Sequence, residues 1–119
     1  MRVLTKRFDT YRIGKYEKEN KLSIMQLLDI GNIEINKIAL LIYLGNSDMN
    51  NIEQAYKRLD DYLASDENNS ILTAYFDLLT EFDKDFKIFK GTGHDVEEIK
   101  GKFKEQVEKN INTLDDTGE

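Results

Sequence analysis

Apolar residues recur at helical spacing along most of the chain, with polar turns between the segments. Thr5 stands where it would cap a first helix ending near residue 20, with Leu4, Phe8 and Tyr11 on its apolar side. Gly14 interrupts this helix, either to let a neighbouring helix come close or as a neutral replacement. The opening pattern therefore predicts an amphipathic helix with one weak position.

Two shorter apolar segments come next. Ser23 is expected to open a second helix over residues 24–30, which Gly31 and Asn32 end. Residues 38–44 are apolar without a break, and periodicity alone leaves a buried strand or a buried helix open there. The helix-compatible residues before the run and the lack of a partner strand favour a central helix.

Two amphipathic helices follow the polar loop at residues 45–48. Asn50 or Asn51 is expected to cap the first, which runs to about residue 64 with a stripe of Ile52, Tyr56, Leu59 and Leu63 between Ala55 and Tyr62. Ser70 is expected to cap the second. A heptad-like seam follows it, formed by Leu72, Tyr75, Leu79, Phe82, Phe86 and Phe89, while the opposite side carries Asp77, Glu81, Lys84 and Lys87.

A glycine-containing break at residues 90–94 precedes the last predicted helix, residues 95–114. Asp95 and Glu98 form a capping-box-like pair at its start, and residues 115–119 are expected to be a frayed tail. The pattern as a whole predicts an all-α protein, with residues 1–119 forming a single compact domain of five to six helices.

Composition narrows the chemistry that this chain of 119 residues can perform. It has no Cys, Pro or Trp and one His, which excludes disulfides, a thiolate metal site, a cysteine nucleophile and a multi-histidine site. The loop around His94 lacks the lysine and the further glycine of a phosphate-binding loop. We therefore expect no enzyme activity, no metal site and no cofactor.

Charge is distributed unevenly along the chain. Residues 1–22 hold seven Lys/Arg against three acids, whereas the remainder holds ten against twenty. The acidic body argues against wrapping nucleic acid, and the basic start is either a solvated helix face or a patch for an acidic partner or nucleic acid. The longest apolar run is seven residues, too short for a membrane span, so we expect a cytosolic protein.

Two apolar stripes are candidates for partner contact as well as for the core. Three phenylalanines close together near the end of the fifth helix suit a partner helix or groove, and the last helix could close the core or meet another subunit. The candidate contact residues are Tyr75, Leu79, Phe82, Phe86, Phe89, Phe103, Val107 and Ile111.

Several motifs occur in the order found in a known family. Residues 4–28, LTKRFDTYRIGKYEKENKLSIMQLL, resemble the opening of tail assembly chaperones from long-tailed phages and prophages of Gram-positive bacteria, and residues 17–24 carry most of that likeness. The run 38–44 falls where those proteins have a central buried helix. Residues 52–63, IEQAYKRLDDYL, are similar to their next helix, and Phe86 and Phe89 stand near their glycine-phenylalanine-phenylalanine. The chaperone-like region is thus residues 1–90.

This resemblance implies a protein that binds the tape-measure protein, keeps its hydrophobic helices from aggregating and helps to recruit tail-tube subunits. Such a protein acts in the cytoplasm of the bacterial host and leaves before the virion is finished; a homo-oligomer is left open. One alternative is a structural phage component, such as a head–tail connector or a tail-completion protein. Another is a small helical DNA-binding regulator that uses Arg2, Lys6, Arg7, Arg12 and Lys15.

Overall fold

The apolar run in the middle of the sequence forms a helix. A computed structural model describes residues 3–29 and 33–105, and in those residues every regular element is helical. The elements are α1 (Thr10–Asn20), α2 (Ile24–Leu27), α3 (Ile35–Leu44), α4 (Ile52–Ser65), α5 (Ile71–Phe86) and α6 (residues 96–105). The predicted all-α class with five to six helices is therefore confirmed. The chain divides into two compact units, residues 1–88 and residues 89–119.

Polar caps fix where the helices begin. Asn51 and Ser70 accept hydrogen bonds from backbone N–H groups in the first turns of α4 and α5, as predicted. Ser23 and Gln26 form a reciprocal capping box at α2, also at the predicted start. α2 ends at Leu27, and the predicted terminator at residues 31–32 lies outside the described residues.

The predicted start of α1 is wrong by four residues. Asp9 caps this helix, its Oδ1 accepting from the Tyr11 N–H at 2.8 Å. Residues 4–9, which we call the N-terminal strap, are non-helical. Thr5 is buried in the strap, and its hydroxyl donates to the Glu81 carboxylate at 2.9 Å, across 76 positions of sequence. Glu81 is thus buried, not on the solvent side of α5 as its spacing predicts.

The strap is held by the end of α3 and by α5. The backbone N–H groups of Lys6 and Arg7 donate to the Gly45 carbonyl at 3.0 and 3.1 Å, and the Phe8 N–H donates to Asp85 at 2.7 Å. Asn46 is fully buried beside it. Its amide donates to the carbonyls of Leu4 and Ile42 at 2.8 and 2.7 Å and accepts from the Lys6 N–H at 3.1 Å. These bonds satisfy polar groups that burial would otherwise penalise.

The core of the first unit forms where α3 packs against α4 and α5. α3 buries five of its side chains, Ile38, Ala39, Leu41, Ile42 and Leu44. Tyr75 of α5 is buried against them with its hydroxyl donating to the Leu28 carbonyl at 2.5 Å, and burial raises its pKa to about 12. Phe8 of the strap meets Phe82 edge-on, with ring centroids 5.3 Å apart. No helix in the described residues is both long and apolar enough to cross a bilayer.

The second unit begins with a turn. Gly91 and Gly93 adopt positive φ angles of 81° and 80°, which suits their place in the predicted break. Asp95 then caps α6 through a 2.8 Å bond from the Glu98 N–H. His94, an exposed loop residue as predicted, pairs with the Glu98 carboxylate at 2.9 Å. That pairing lowers the pKa of Glu98, with a smaller contribution from Lys102.

Candidate partner-binding surfaces

The aromatic seam of α5 serves the core. Tyr75, Leu79 and Phe82 are buried, so they present no surface to a partner, which corrects the prediction that they contact one. Phe86 is half-buried, with its ring 4.7 Å from Phe82 and 6.4 Å from Phe8. α5 ends there, because Lys87 takes a left-handed conformation, so Phe89 does not continue the seam.

The other predicted contact residues lie beyond α5. Phe89 and Phe103 are half-buried residues of the second unit. Val107 and Ile111 fall outside the described residues. A partner role for these side chains and for Phe86 therefore stays a prediction.

α4 turns a different face to the core from the one its stripe predicts. The buried residues are Ala55, Leu59 and Tyr62, of which only Leu59 belongs to the predicted stripe. The Tyr62 hydroxyl explains part of this rotation, since it lies 2.8 Å from the Thr73 hydroxyl and donates to Asp77 at 3.0 Å. Ala55 flanks the predicted stripe, yet it is buried, and its small side chain lets the neighbouring helix pack closely.

The rotation leaves apolar side chains exposed on α4. Ile52 is 37% exposed and Tyr56 is 38% exposed, one helical turn apart. Leu63 is half-buried and falls on the same side of the helix at 100° per residue. We call Ile52, Tyr56 and Leu63 the α4 stripe. Glu53 and Asp60 are exposed along its outer edge, so the stripe is an apolar surface with acidic residues beside it.

Some of the basic residues at the start of the chain contact other parts of the protein. The Arg12 guanidinium lies 4.7 Å from the centre of the Tyr43 ring and donates to the Tyr43 carbonyl at 3.2 Å. Lys6 pairs with Asp48 at 3.0 Å. Arg2 is outside the described residues. Two of the five residues proposed for DNA contact therefore make internal contacts instead.

A polar cleft lies at the start of α1, with a volume of about 320 Å³. Arg7 and Arg12 line it, but so do the carboxylates of Asp9 and Asp85, and Asp85 already accepts the Phe8 N–H. The opposing charges cancel, so the cleft does not define an anion site. Across the described ranges, no three His, Cys, Asp or Glu side chains are grouped to hold a metal ion.

Comparison with known proteins identifies no relative of this chain. No protein-family model, no curated protein and no solved structure matches the chain.

Proposed function

We propose that this chain is a tail assembly chaperone of a long-tailed phage or prophage. It binds the tape-measure protein in the host cytoplasm, keeps its amphipathic helices soluble, helps to recruit tail-tube subunits and is absent from the finished virion. The family resemblance over residues 4–90 supports the proposal, because that stretch matches the first compact unit almost end to end.

The α4 stripe is the observation that carries the proposal. It lies inside residues 52–63, the segment that resembles a family helix, and the core leaves its apolar side chains Ile52 and Tyr56 exposed. A helical client offers an apolar stripe of its own at spacings of three and four residues. Burying the two faces together removes apolar surface from water on both proteins, which is the driving force a chaperone for such a client needs.

The test is co-expression with the tape-measure protein encoded nearby. The wild-type chain should keep that protein in the soluble fraction, and Ile52→Gln together with Tyr56→Gln should reduce the soluble amount about tenfold, as expected for two truncated contacts. The matched control, Lys57→Gln with Asp61→Asn, changes two exposed residues on the far side of the same helix and should behave as wild type. Equal precipitation with and without the wild-type chain would rule the proposal out.

Virion analysis separates this function from that of a structural component. A chaperone should be missing from purified particles by mass spectrometry, whereas a connector or a tail-completion protein would be retained in fixed copy number. Detection of the chain at the level of known particle proteins would favour the structural alternative.

A further inference from the structure

Gly14 occupies a position on α1 that packing among the described residues does not explain. It lies within the helix at negative φ, and a Cβ placed on it would meet no atom within 4 Å. Glycine is the least favourable helix residue apart from proline, so an alanine would be better there for the folded chain alone. Within residues 3–29 and 33–105, therefore, no neighbouring helix comes close to Gly14.

The surface around Gly14 has the features of a contact face. At 100° per residue, Tyr11, Lys15 and Lys18 lie with Gly14 on the side of α1 opposite Ile13, its buried residue. Tyr11 is 76% exposed, the highest value among the large hydrophobic side chains that are described as exposed. The surface there is an open, shallow depression of about 680 Å³, lined by Thr10, Tyr11, Gly14, Lys15, Lys18 and Glu19.

Charge indicates the kind of partner that this face would accept. Lys15 and Lys18 are exposed, and within residues 3–29 and 33–105 neither forms an ion pair. They belong to the basic segment of a chain whose net charge is −6. Glu19 is the one acidic residue lining the depression. The face therefore attracts carboxylates, and the small residue at its centre admits a close backbone.

A protein helix fits this face better than nucleic acid does. Phosphate binding needs several free cations in a row, but Arg12 is stacked on Tyr43 and Lys6 is paired with Asp48. Two lysines beside one exposed tyrosine match a helix with one apolar stripe and acidic flanks. We infer that the outer face of α1 binds an acidic amphipathic helix of a partner protein, with Gly14 at the point of closest approach and Lys15 and Lys18 pairing with its carboxylates.

A designed peptide tests this inference without knowledge of the natural partner. The probe is a capped helical peptide of about 18 residues, with leucines at spacings of three and four and glutamates on both flanks. Its counterpart carries lysines in place of the glutamates. The peptides are titrated into the isotope-labelled full-length chain, and the backbone amide resonances are followed by NMR. The acidic peptide should shift resonances centred on Gly14 and bind about tenfold more tightly than the basic one.

Substitutions distinguish an effect on the α1 contact face from an effect on the stability of the fold. Gly14→Leu fills the depression and removes a weak helix position, so it should weaken peptide binding about tenfold while raising the thermal midpoint. Lys15→Glu with Lys18→Glu should weaken binding by a similar factor. Lys84→Glu with Lys104→Glu changes the net charge equally at exposed positions elsewhere and should bind as wild type.

Other results would contradict the proposed binding of an acidic helix to α1. Equal binding of the two peptides, or shifts centred on another helix, would overturn the inference. Tighter binding of an oligothymidine of about twenty nucleotides would assign the face to nucleic acid instead, and α1 shifts that depend on protein concentration without peptide would assign it to a second copy. None of these results bears on the α4 stripe, whose variants and client are tested separately.

Discussion

Replacing each of two glycines by alanine should change stability in opposite directions. A Cβ on Gly45 would lie 2.4 Å from Cγ2 and 2.6 Å from Cβ of Thr5, whereas a Cβ on Gly14 would meet nothing within 4 Å. Carbon atoms in contact are ordinarily about 3.5–4.0 Å apart, so the strap must move by about 1 Å to admit the Gly45 methyl. Thr5 cannot swing aside freely, because it is buried and bonded to Glu81.

The contacts of the two glycines determine how much the free energy of unfolding should change. Overpacking of this kind costs about 1–3 kcal/mol, and the strap's bonds to the Gly45 carbonyl, at 3.0 and 3.1 Å, would stretch at a cost of about 1 kcal/mol more. Gly45 has φ −87° and ψ 3°, which L residues adopt, so alanine regains about 0.5–1 kcal/mol by restricting the unfolded chain. We expect Gly45→Ala to lower the free energy of unfolding by about 2 kcal/mol and Gly14→Ala to raise it by about 1 kcal/mol.

Urea denaturation followed by far-ultraviolet circular dichroism measures both changes. With a slope typical of small proteins, Gly45→Ala should lower the midpoint by about 1 M and Gly14→Ala should raise it by about half as much. Thr5→Ser in the Gly45→Ala background removes the Thr5 Cγ2 methyl but leaves the contact with the Cβ atom of residue 5, so it should restore only part of the lost stability. An unchanged or higher midpoint for Gly45→Ala would refute the packing of the strap against α3.

Three further substitutions test individual bonds. Asn46→Leu removes a fully buried amide that makes three hydrogen bonds and should cost about 2–4 kcal/mol in urea denaturation; a loss below 0.5 kcal/mol would contradict its role as a buried anchor. Ser70→Ala removes the cap of α5 and should cost about 1 kcal/mol, whereas Ser47→Ala, at an exposed loop position, should stay within about 0.5 kcal/mol. Tyr75 has its pKa raised to about 12, so its contribution to stability is complete below pH 10 and is lost as the pH rises from about 10 through 12. Tyr75→Phe, which also loses the bond to Leu28, should remove that part of the alkaline decline; an identical decline in the variant would assign it to other groups.

The sequence predicts the start of a helix correctly where the capping residue bonds to a residue close to it in the chain. Ser23, Asn51 and Ser70 cap helices through residues two or three positions away, so their role is visible in the sequence. Thr5 has the same side-chain chemistry as a cap, but its hydroxyl bonds to Glu81 on a distant helix. A residue able to cap a helix is equally able to satisfy a buried carboxylate, and the sequence does not distinguish the two uses.

The predicted charged side of α5 is wrong at Glu81 alone among its four residues, and for the same reason. Glu81 has the spacing of a solvent-facing residue, yet the strap covers it and supplies its hydrogen bond. Non-helical residues 4–9 have no periodicity of their own, so their position follows from Gly45, Asn46 and α5 only once these are assembled. The core of α3, in contrast, was predictable, since a run that is apolar on all sides can only be buried.

On α4, the candidate contact surface consists of the apolar side chains that the core does not bury. Its sequence contains two stripes at spacings of four and three, Ile52–Tyr56–Leu59 and Ala55–Leu59–Tyr62, and either could have faced inward. The second is buried because Tyr62 reaches Thr73 and Asp77 on α5, and the first is then left partly exposed. If exposure of Ile52 and Tyr56 serves a partner, Ile52→Gln with Tyr56→Gln should leave the free energy of unfolding within about 1 kcal/mol of wild type and still reduce the soluble client about tenfold. If these side chains instead support the fold, the same pair should lower the urea midpoint by about 1 M or more, and client loss would simply follow unfolding. Measuring both quantities on one purified variant therefore decides between a contact face and a structural one.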